Sequence, residues 1–343
     1  MEIEYGLELG RGFFGVVYQG RDIALGRDVA VKLLDPQRLS RPVDELFSEA
    51  QALLQAQHRN VVDVLGAEMQ RGHPAIVMEY LPGGSVAAAL NGQPADVNRA
   101  LQWCIDACRG LAHAHDRGLL HRDIKPANLL LSSNGDVKLS DFGLACSTDD
   151  PEAGPSFAYG PHIPPESLND GFISDMRGDI YAMGLTIYRL LNGEELYRRA
   201  AQVGSGLPSL IRSGRFPDRS SWQPHVPKAL RRVVRAALNV DPMRRPSTAV
   251  DLRHRLEAVR PTVSFAPDHT TPDSWLGTAS DGTAWQVEVQ KRPRKATYDV
   301  EVKRGAVGGS LRRQGRHCSS CDDHKLAKRT AADVMDTISS TGK

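Results

Sequence analysis

The chain has little cysteine, few aromatic residues and no long apolar run. Five cysteines in 343 residues are too few for a disulfide framework. No apolar run approaches the roughly 18 residues that a membrane-spanning helix needs, so none is expected. Residues Met1–Gly10 begin acidic and lack a basic segment followed by an apolar one, so they do not read as a secretory signal. Neither charge sign dominates: 43 Lys and Arg face 41 Asp and Glu, a net of +2. With 41% hydrophobic and 24% charged residues, the chain also lacks the composition of a disordered one. The length predicts about two domains. The expectation is a cytoplasmic protein with one large domain and a small second one.

The small net charge averages two unlike parts. Residues 1–260 hold 30 basic and 31 acidic side chains, whereas residues 261–343 hold 13 and 10. Within the tail, residues 290–331 carry 12 Lys and Arg against 4 Asp and Glu. Such a stretch could meet nucleic acid or an acidic partner, although a solvated surface explains it as well.

Hydrophobic periodicity divides the chain further. Glu8–Tyr18 and Asp28–Leu34 read as strands separated by the turn signals Gly20 and Gly26. Val43, Leu46, Phe47, Ala50, Leu53 and Leu54 fall on one helical face. Strand patterns return at Val61–Leu65 and Ala75–Tyr80, and Pro82-Gly83-Gly84 breaks the chain. A helical stripe follows at Leu101, Cys104, Ile105, Cys108, Leu111, Ala112 and His115, and later ones at Val226–Val240 and Val250–Val259. Residues 261–273, with three prolines and little periodicity, read as a linker. Beyond them Ala284–Val289 and Thr297–Val302 alternate as strands, and Leu326, Thr330, Val334 and Ile338 repeat as a closing helix.

Three short motifs carry chemistry. Gly10-Arg11-Gly12-Phe13-Phe14-Gly15-Val16-Val17 fits a glycine-rich turn whose backbone can approach phosphate oxygens, since no Cβ stands in the way. No strand–helix–strand unit follows, which disfavours a dinucleotide fold. A second strand instead delivers Lys32, in Val29-Ala30-Val31-Lys32, where an ammonium could hold phosphates. In His121-Arg122-Asp123-Ile124-Lys125-Pro126-Ala127-Asn128, Asp123 can accept a proton from a hydroxyl nucleophile and Asn128 can ligate Mg²⁺. Asp141-Phe142-Gly143 follows the strand-like Val137-Lys138-Leu139 and offers a second metal ligand, Asp141.

In this order and spacing the motifs resemble the eukaryotic-like (Hanks-type) serine/threonine protein kinase family over about residues 5–260. The resemblance implies an α+β, bilobal protein kinase fold with a β-rich N-lobe at 1–81 and an α-helical C-lobe at 85–260. Residues 274–343 would add a small basic α+β accessory domain used for regulation or targeting. The family implies ATP with Mg²⁺, or Mn²⁺ in its place, and protein substrates that offer Ser or Thr hydroxyls. Leu9, Gly10, Gly12, Gly15 and Val17 would cover the phosphates, and Glu49 would pair with Lys32. Met78 would be the gatekeeper, Glu79 and Leu81 would offer backbone groups to adenine, and Val17, Ala30 and Leu130 would sandwich the ring. Asp123 would orient the hydroxyl, Lys125 and Lys32 would neutralise phosphate charge, and Asn128 and Asp141 would hold the metal.

The resemblance further implies a buried ion pair between Glu166, in Pro164-Pro165-Glu166, and Arg245, and a helix start at Asp179 that anchors the catalytic loop. Arg122 implies control by a phosphate on the activation segment, where Ser147, Thr148, Ser156 and Tyr159 are the acceptors. A dimer would let one copy phosphorylate another. One departure stands out: Ala158 and Tyr159 occupy the places where serine/threonine kinases usually have Gly and Thr. A pseudokinase scaffold would have to explain why every phosphate and metal ligand is kept. Outside the motifs, Cys104 and Cys108 sit on a core stripe, and His317, Cys318, Cys321 and His324 could supply a tetrahedral Zn²⁺ site, although solvent-facing loop residues explain them more simply.

Overall fold

The computed structural model describes residues 1–343 except 13, 40–41, 45–46, 48–49, 51–53, 55–56, 142–145, 148–161, 169–174, 203–205 and 294, and only the backbone at 146–147, 196 and 199–201. The N-terminal lobe is an antiparallel five-stranded sheet in the order β1-β2-β3-β5-β4. Its strands are β1 (Ile3–Gly12), β2 (Gly15–Asp22), β3 (Arg27–Leu34), β4 (Val64–Gln70) and β5 (His73–Glu79). The run Glu8–Tyr18 is therefore two strands, folded back on each other where Gly12 pairs with Gly15. The hydrophobic pattern continues across the turn and conceals it. Val29, Val31, Ala75 and Val77 form the core of one sheet face. Of the expected helical stripe, Val43, Phe47, Ala50 and Leu54 have helical backbone, while Leu46 and Leu53 lie outside the described residues.

The C-terminal lobe is helical: α1 (Val86–Leu90), α2 (Val97–His115), α3 (Met176–Asn192), α4 (Glu194–Ala201), α5 (Leu207–Arg212), α6 (Lys228–Ala237) and α7 (Ala249–Glu257). Its core includes the stripe of α2, among it Cys104 and Cys108, and nearly the whole surface of α3. Both thiols are buried, and burial pushes that of Cys108 up to about 12, so they act as small apolar side chains. Short strands β6 (Leu119–Leu120), β7 (Leu129–Leu131), β8 (Val137–Leu139) and β9 (Cys146–Ser147) lie between α2 and α3 in sequence.

The C-terminal unit begins earlier than the sequence suggests. Residues Val263–Pro267 are not linker but a strand, β10, paired in register with β11 (Ser274–Ala279). Val263 and Phe265 point into the core, and Pro267 is tolerated because it ends an edge strand. The sheet continues through β12 (Thr283–Lys291), β13 (Tyr298–Ala306) and β14 (Arg312–Arg313), with β15 (Ser319–Cys321) also on β13. Trp275, Trp285, Val287, Val300 and Val302 face α8 (His324–Thr341). The face of α8 that packs on them is Ala327, Ala331, Met335 and Ile338; Leu326 is exposed. The expected stripe through Leu326 and Thr330 is off by one residue, because small alanines let the helix approach the sheet closely.

This unit docks on the C-terminal lobe at two helix starts. Asp96 caps α2, and the Ser264 hydroxyl donates to the Asp96 carboxylate at 3.1 Å while accepting the Asn98 N–H at 3.0 Å. At α6, whose N-cap is Pro227, the Asp336 carboxylate accepts the Lys228 N–H at 2.8 Å. Each contact satisfies a backbone donor that a helix leaves open. Among the described residues, no helix is long and apolar enough to cross a membrane.

Candidate active site

The β-ladders of the N-terminal lobe sort its candidate residues by face. Cross-strand partners share a face and alternate residues return to it. Val17 pairs with Lys32, and Ala30 with Met78, so Val17, Ala30, Lys32 and Met78 stand on one side of the sheet. Gly12, Gly15, Val16, Tyr18 and Leu33 line a cavity of about 290 Å³ together with Arg11 and His73. The three glycines differ in role. A Cβ at Gly15 would lie 1.9 Å from the Leu33 carbonyl oxygen, so the chain itself requires glycine there. A Cβ at Gly10 or Gly12 would meet nothing within 4 Å, so the fold leaves open space beside those two.

Lys32 is nearly buried, and its Nζ donates to Asp141 Oδ1. Burial alone would raise the Asp141 carboxyl, but the charge and hydrogen bond of Lys32, with Lys125 and His121 nearby, hold it below the usual range. Leu81 is buried, and its carbonyl accepts the Gly84 N–H at 3.2 Å as the chain turns between lobes. The Glu79 N–H donates to the Asp63 carbonyl at 2.9 Å, so residue 79 does not offer that N–H to a base. Its carboxylate accepts from Lys138, a partner that the motifs did not reveal. Leu130 lies on β7 and bridges Ser85, just beyond the Pro82-Gly83-Gly84 turn. Leu9 is exposed on β1. Glu49, Phe142, Gly143, Thr148, Ser156, Ala158 and Tyr159 lie outside the described residues, and Ser147 is described by its backbone alone.

Residues 121–141 are tied into one unit by a short hairpin. Leu129 pairs with Leu139 and Leu131 with Val137, which brings residue 128 opposite residue 140. Ser140 secures this end with two bonds to the Asn128 carbonyl, from its N–H at 2.9 Å and its hydroxyl at 3.1 Å. Asn128 and Asp141 are thus neighbours by strand register. The Asn128 amide nitrogen donates to the Asp123 carbonyl at 2.8 Å and to its carboxylate at 3.0 Å. This orientation leaves the amide oxygen of Asn128 as the acceptor for a cation. Lys125 Nζ donates to both Asp123 oxygens, at 2.9 and 2.7 Å.

The loop is held from beneath by Asp179, in the first turn of α3. Its buried carboxylate accepts the His121 N–H at 2.9 Å and the Arg122 N–H at 2.8 Å, and lies 2.8 Å from His115 Nε2. Burial would raise this carboxyl, but the bonds and charges of His115 and His121 keep it depressed. His121 Nε2 donates to the Ser140 carbonyl at 3.0 Å while its Nδ1 accepts the Asp123 N–H at 3.3 Å. Arg122 and Asp141 adopt φ of +63° and +67°, conformations that cost energy and persist only where surroundings impose them. His115, read as part of an apolar stripe, therefore has a polar task that periodicity cannot reveal.

Glu166 and Arg245 meet as a two-pronged pair at 2.5 and 2.6 Å. The half-buried His162 ring lies 2.7 Å from Arg189 Nη1, and loss of solvation together with the Arg189 charge drives its imidazole well below the usual value. In the C-terminal unit the expected zinc ligands do not converge. Cys318 Sγ accepts the Val302 N–H, Cys321 is buried against Thr330, His317 Nε2 accepts from Arg316, and His324 pairs with Asp273 at 2.6 Å. Among the described residues no three His, Cys, Asp or Glu side chains gather to hold a metal, and burial of Cys321 corrects the solvent-facing reading of this stretch. Some of the tail's basic residues pair within the C-terminal unit: Arg292 with Asp299, Lys303 with Glu301 and Lys328 of α8 with Asp273.

The arrangement suits a magnesium nucleotide: Asn128 and Asp141 adjoin at one end of the β7–β8 hairpin, an ammonium lies against the Asp141 carboxylate, and open space adjoins Gly10 and Gly12. Two lobes with this grouping define the protein kinase architecture. Comparison with known proteins agrees: the protein kinase domain family matches residues 3–256, and the chain belongs to that family. It is 32% identical over 295 residues to the serine/threonine-protein kinase PknJ of Mycobacterium tuberculosis, covering 81% of this chain and 49% of that one. It is 30% identical over 250 residues to PrkC of Bacillus subtilis, covering 71% and 38%. It is 31% identical over 257 residues to the DNA damage-responsive kinase RqkA of Deinococcus radiodurans, covering 72% and 38%. The chain thus spans about half the length, or less, of these curated relatives.

Proposed function

We propose that the chain is a serine/threonine protein kinase that transfers the γ-phosphoryl group of Mg-ATP to hydroxyls of protein substrates, itself included. The observation that supports this reading is that Lys125 and Asn128 both donate to Asp123, that Lys32 donates to Asp141, and that the β7–β8 hairpin sets Asn128 against Ser140, next to Asp141. Asp123 accepts the proton of the attacking hydroxyl as the oxygen–phosphorus bond forms and ADP departs. Lys125, already on Asp123, bridges that carboxylate to the transferred phosphate and offsets its charge. Lys32 holds the phosphates from the sheet side, while Asn128 and Asp141 hold Mg²⁺ or Mn²⁺, which supplies further neutralisation when bound. Glu49 pairs with Lys32 in the active state. Leu9, Gly10, Gly12 and Gly15 cover the phosphates, and Val17, Ala30, Met78, Leu130 and the backbone of Glu79 and Leu81 receive the adenine.

Lys125 in this loop favours serine and threonine over tyrosine as acceptors, as the resemblance implies. Because the reaction consumes Mg-ATP, the domain is assigned to the cytoplasm, and a transient dimer serves phosphorylation between copies. The test is purified protein with Mg-ATP and myelin basic protein, followed by mass spectrometry of phosphate. Asp123→Ala and Lys32→Met should lower incorporation by at least about a hundredfold. Equal incorporation in wild type and Asp123→Ala would refute the assignment.

A further inference from the structure

The cleft between α6 and α8, where the C-terminal unit meets the C-terminal lobe, takes no part in the kinase reading. It measures about 590 Å³ and is lined by Lys228, Arg231, Arg232 and Arg235 of α6 and by Asp336 and Ser340 of α8. The four bases fall at i, i+3, i+4 and i+7, which puts them on one face of a helix. Like charges at this spacing repel and weaken the helix that carries them. Among the described residues Lys228 alone of the four is within ion-pair distance of a carboxylate. Lys228 Nζ lies 2.9 Å from Asp333 and 3.8 Å from Asp336. Arg231 donates to the Val226 and Pro224 carbonyls and Arg235 to the Arg219 carbonyl, bonds that fix the guanidinium groups on neutral acceptors, with Asp336 and Asp333 offsetting part of the Arg231 charge from a distance. Arg232 is exposed beside them. The α6 N-terminus is already taken by the Asp336 carboxylate, so the surplus charge lies along the helix face rather than at its end.

We propose that this cleft is a binding site for a phosphate-bearing small molecule. Its volume lies in the range of about 300–1,000 Å³ typical of small-ligand sites. Guanidinium forks match phosphate oxygens two at a time, and the bonds that Arg231 and Arg235 make to backbone carbonyls preorganise them. A ligand seated there touches α6 and α8 together and so fastens the C-terminal unit to the catalytic lobe. The fastening reaches towards the active site, because Ala237 of α6 packs against Gly184 of α3, the helix whose first turn carries Asp179.

The test is calorimetric titration of the full chain with inorganic tripolyphosphate at 50 mM salt. It needs no turnover, so its result is independent of whether the kinase assignment holds. One site is expected, retained in Lys32→Met and weakened at least about tenfold in Arg232→Glu, since charge-assisted bonds are being removed. Ser340→Asp, which puts a carboxylate into the cleft from the opposite wall, should weaken it similarly; both substituted side chains are exposed, so the fold should be retained. Absence of binding would overturn the proposal. So would binding that Lys32→Met abolishes and Arg232→Glu keeps, or binding of a long oligonucleotide but not of tripolyphosphate.

Discussion

Glu166→Gln tests how the segment after the activation loop is held. Arg245 has no exposed side-chain surface and Glu166 only 13%. Neutralising Glu166 strands a guanidinium that cannot reach water. Breaking a buried pair from one side typically costs about 3–5 kcal/mol. The Arg245 guanidinium keeps three other acceptors, the carbonyls of Arg177 at 2.9 Å, Asn239 at 2.7 Å and Val240 at 3.2 Å, and lies 5.0 Å from the centre of the Tyr181 ring. These partly solvate the stranded charge and place the expected loss in the lower part of that range, about 3–4 kcal/mol. At about 2–4 °C per kcal/mol for a domain of this size, the melting temperature should fall by roughly 6–16 °C. Arg245→Met should cost a similar amount, and the double variant should cost less than the two singles together, with a coupling of about 2 kcal/mol or more. Scanning calorimetry of the four proteins closes the cycle. A melting temperature within 3 °C of wild type for Glu166→Gln, corresponding to about 1 kcal/mol or less, would show that the pair is not a structural tie.

The glycines of the first hairpin should separate by role: Gly15→Ala destabilises the lobe because its Cβ would meet the Leu33 carbonyl. Gly10→Ala and Gly12→Ala should leave melting unchanged but raise KM for ATP, and equal destabilisation by all three in calorimetry would contradict this division. His225 is buried 3.2 Å from the Ala95 carbonyl, and burial, with Arg231 and His269 nearby, lowers its value from 6.5 to about 4. The unfolded chain therefore binds a proton first as pH falls. Stability is complete above pH 6.5 and drops by about 1.4 kcal/mol per pH unit down to about 4, roughly 3 kcal/mol in all. His225→Gln should flatten this slope in urea titrations between pH 7 and 4.5, whereas an unchanged slope would contradict it. Ser264→Ala removes the second cap of α2 and should cost about 1 kcal/mol. Faster hydrogen exchange at the Asn98 amide is the expected signal, and unchanged exchange there would count against the docking role.

The candidate site was legible because its chemistry depends on short, fixed spacings. Asn128 follows Asp123 by five residues since its amide must reach back to that carbonyl and carboxylate. Asp141 lies one residue beyond the position that β7 and β8 pair with Asn128. Such contacts are local in sequence or fixed by one hairpin, so spacing alone conveys them. What spacing could not convey was the identity of distant partners. His115 lies on a helix stripe that reads as apolar, and only the fold turns its Nε2 to Asp179, 64 residues later. Lys138 alternates outward between Val137 and Leu139 like any solvent-facing lysine, yet its ammonium meets Glu79 across the lobe junction. The C-terminal unit was harder to read for a related reason. Its first strand has only Val263 and Phe265 to signal an inward face, and its closing helix meets the sheet through alanines that carry little hydrophobic signal. Where an element is defined by how closely it packs rather than by how apolar it is, periodicity points to the wrong face. In α8 that error was a single residue, and it moved Leu326 from solvent into the expected core.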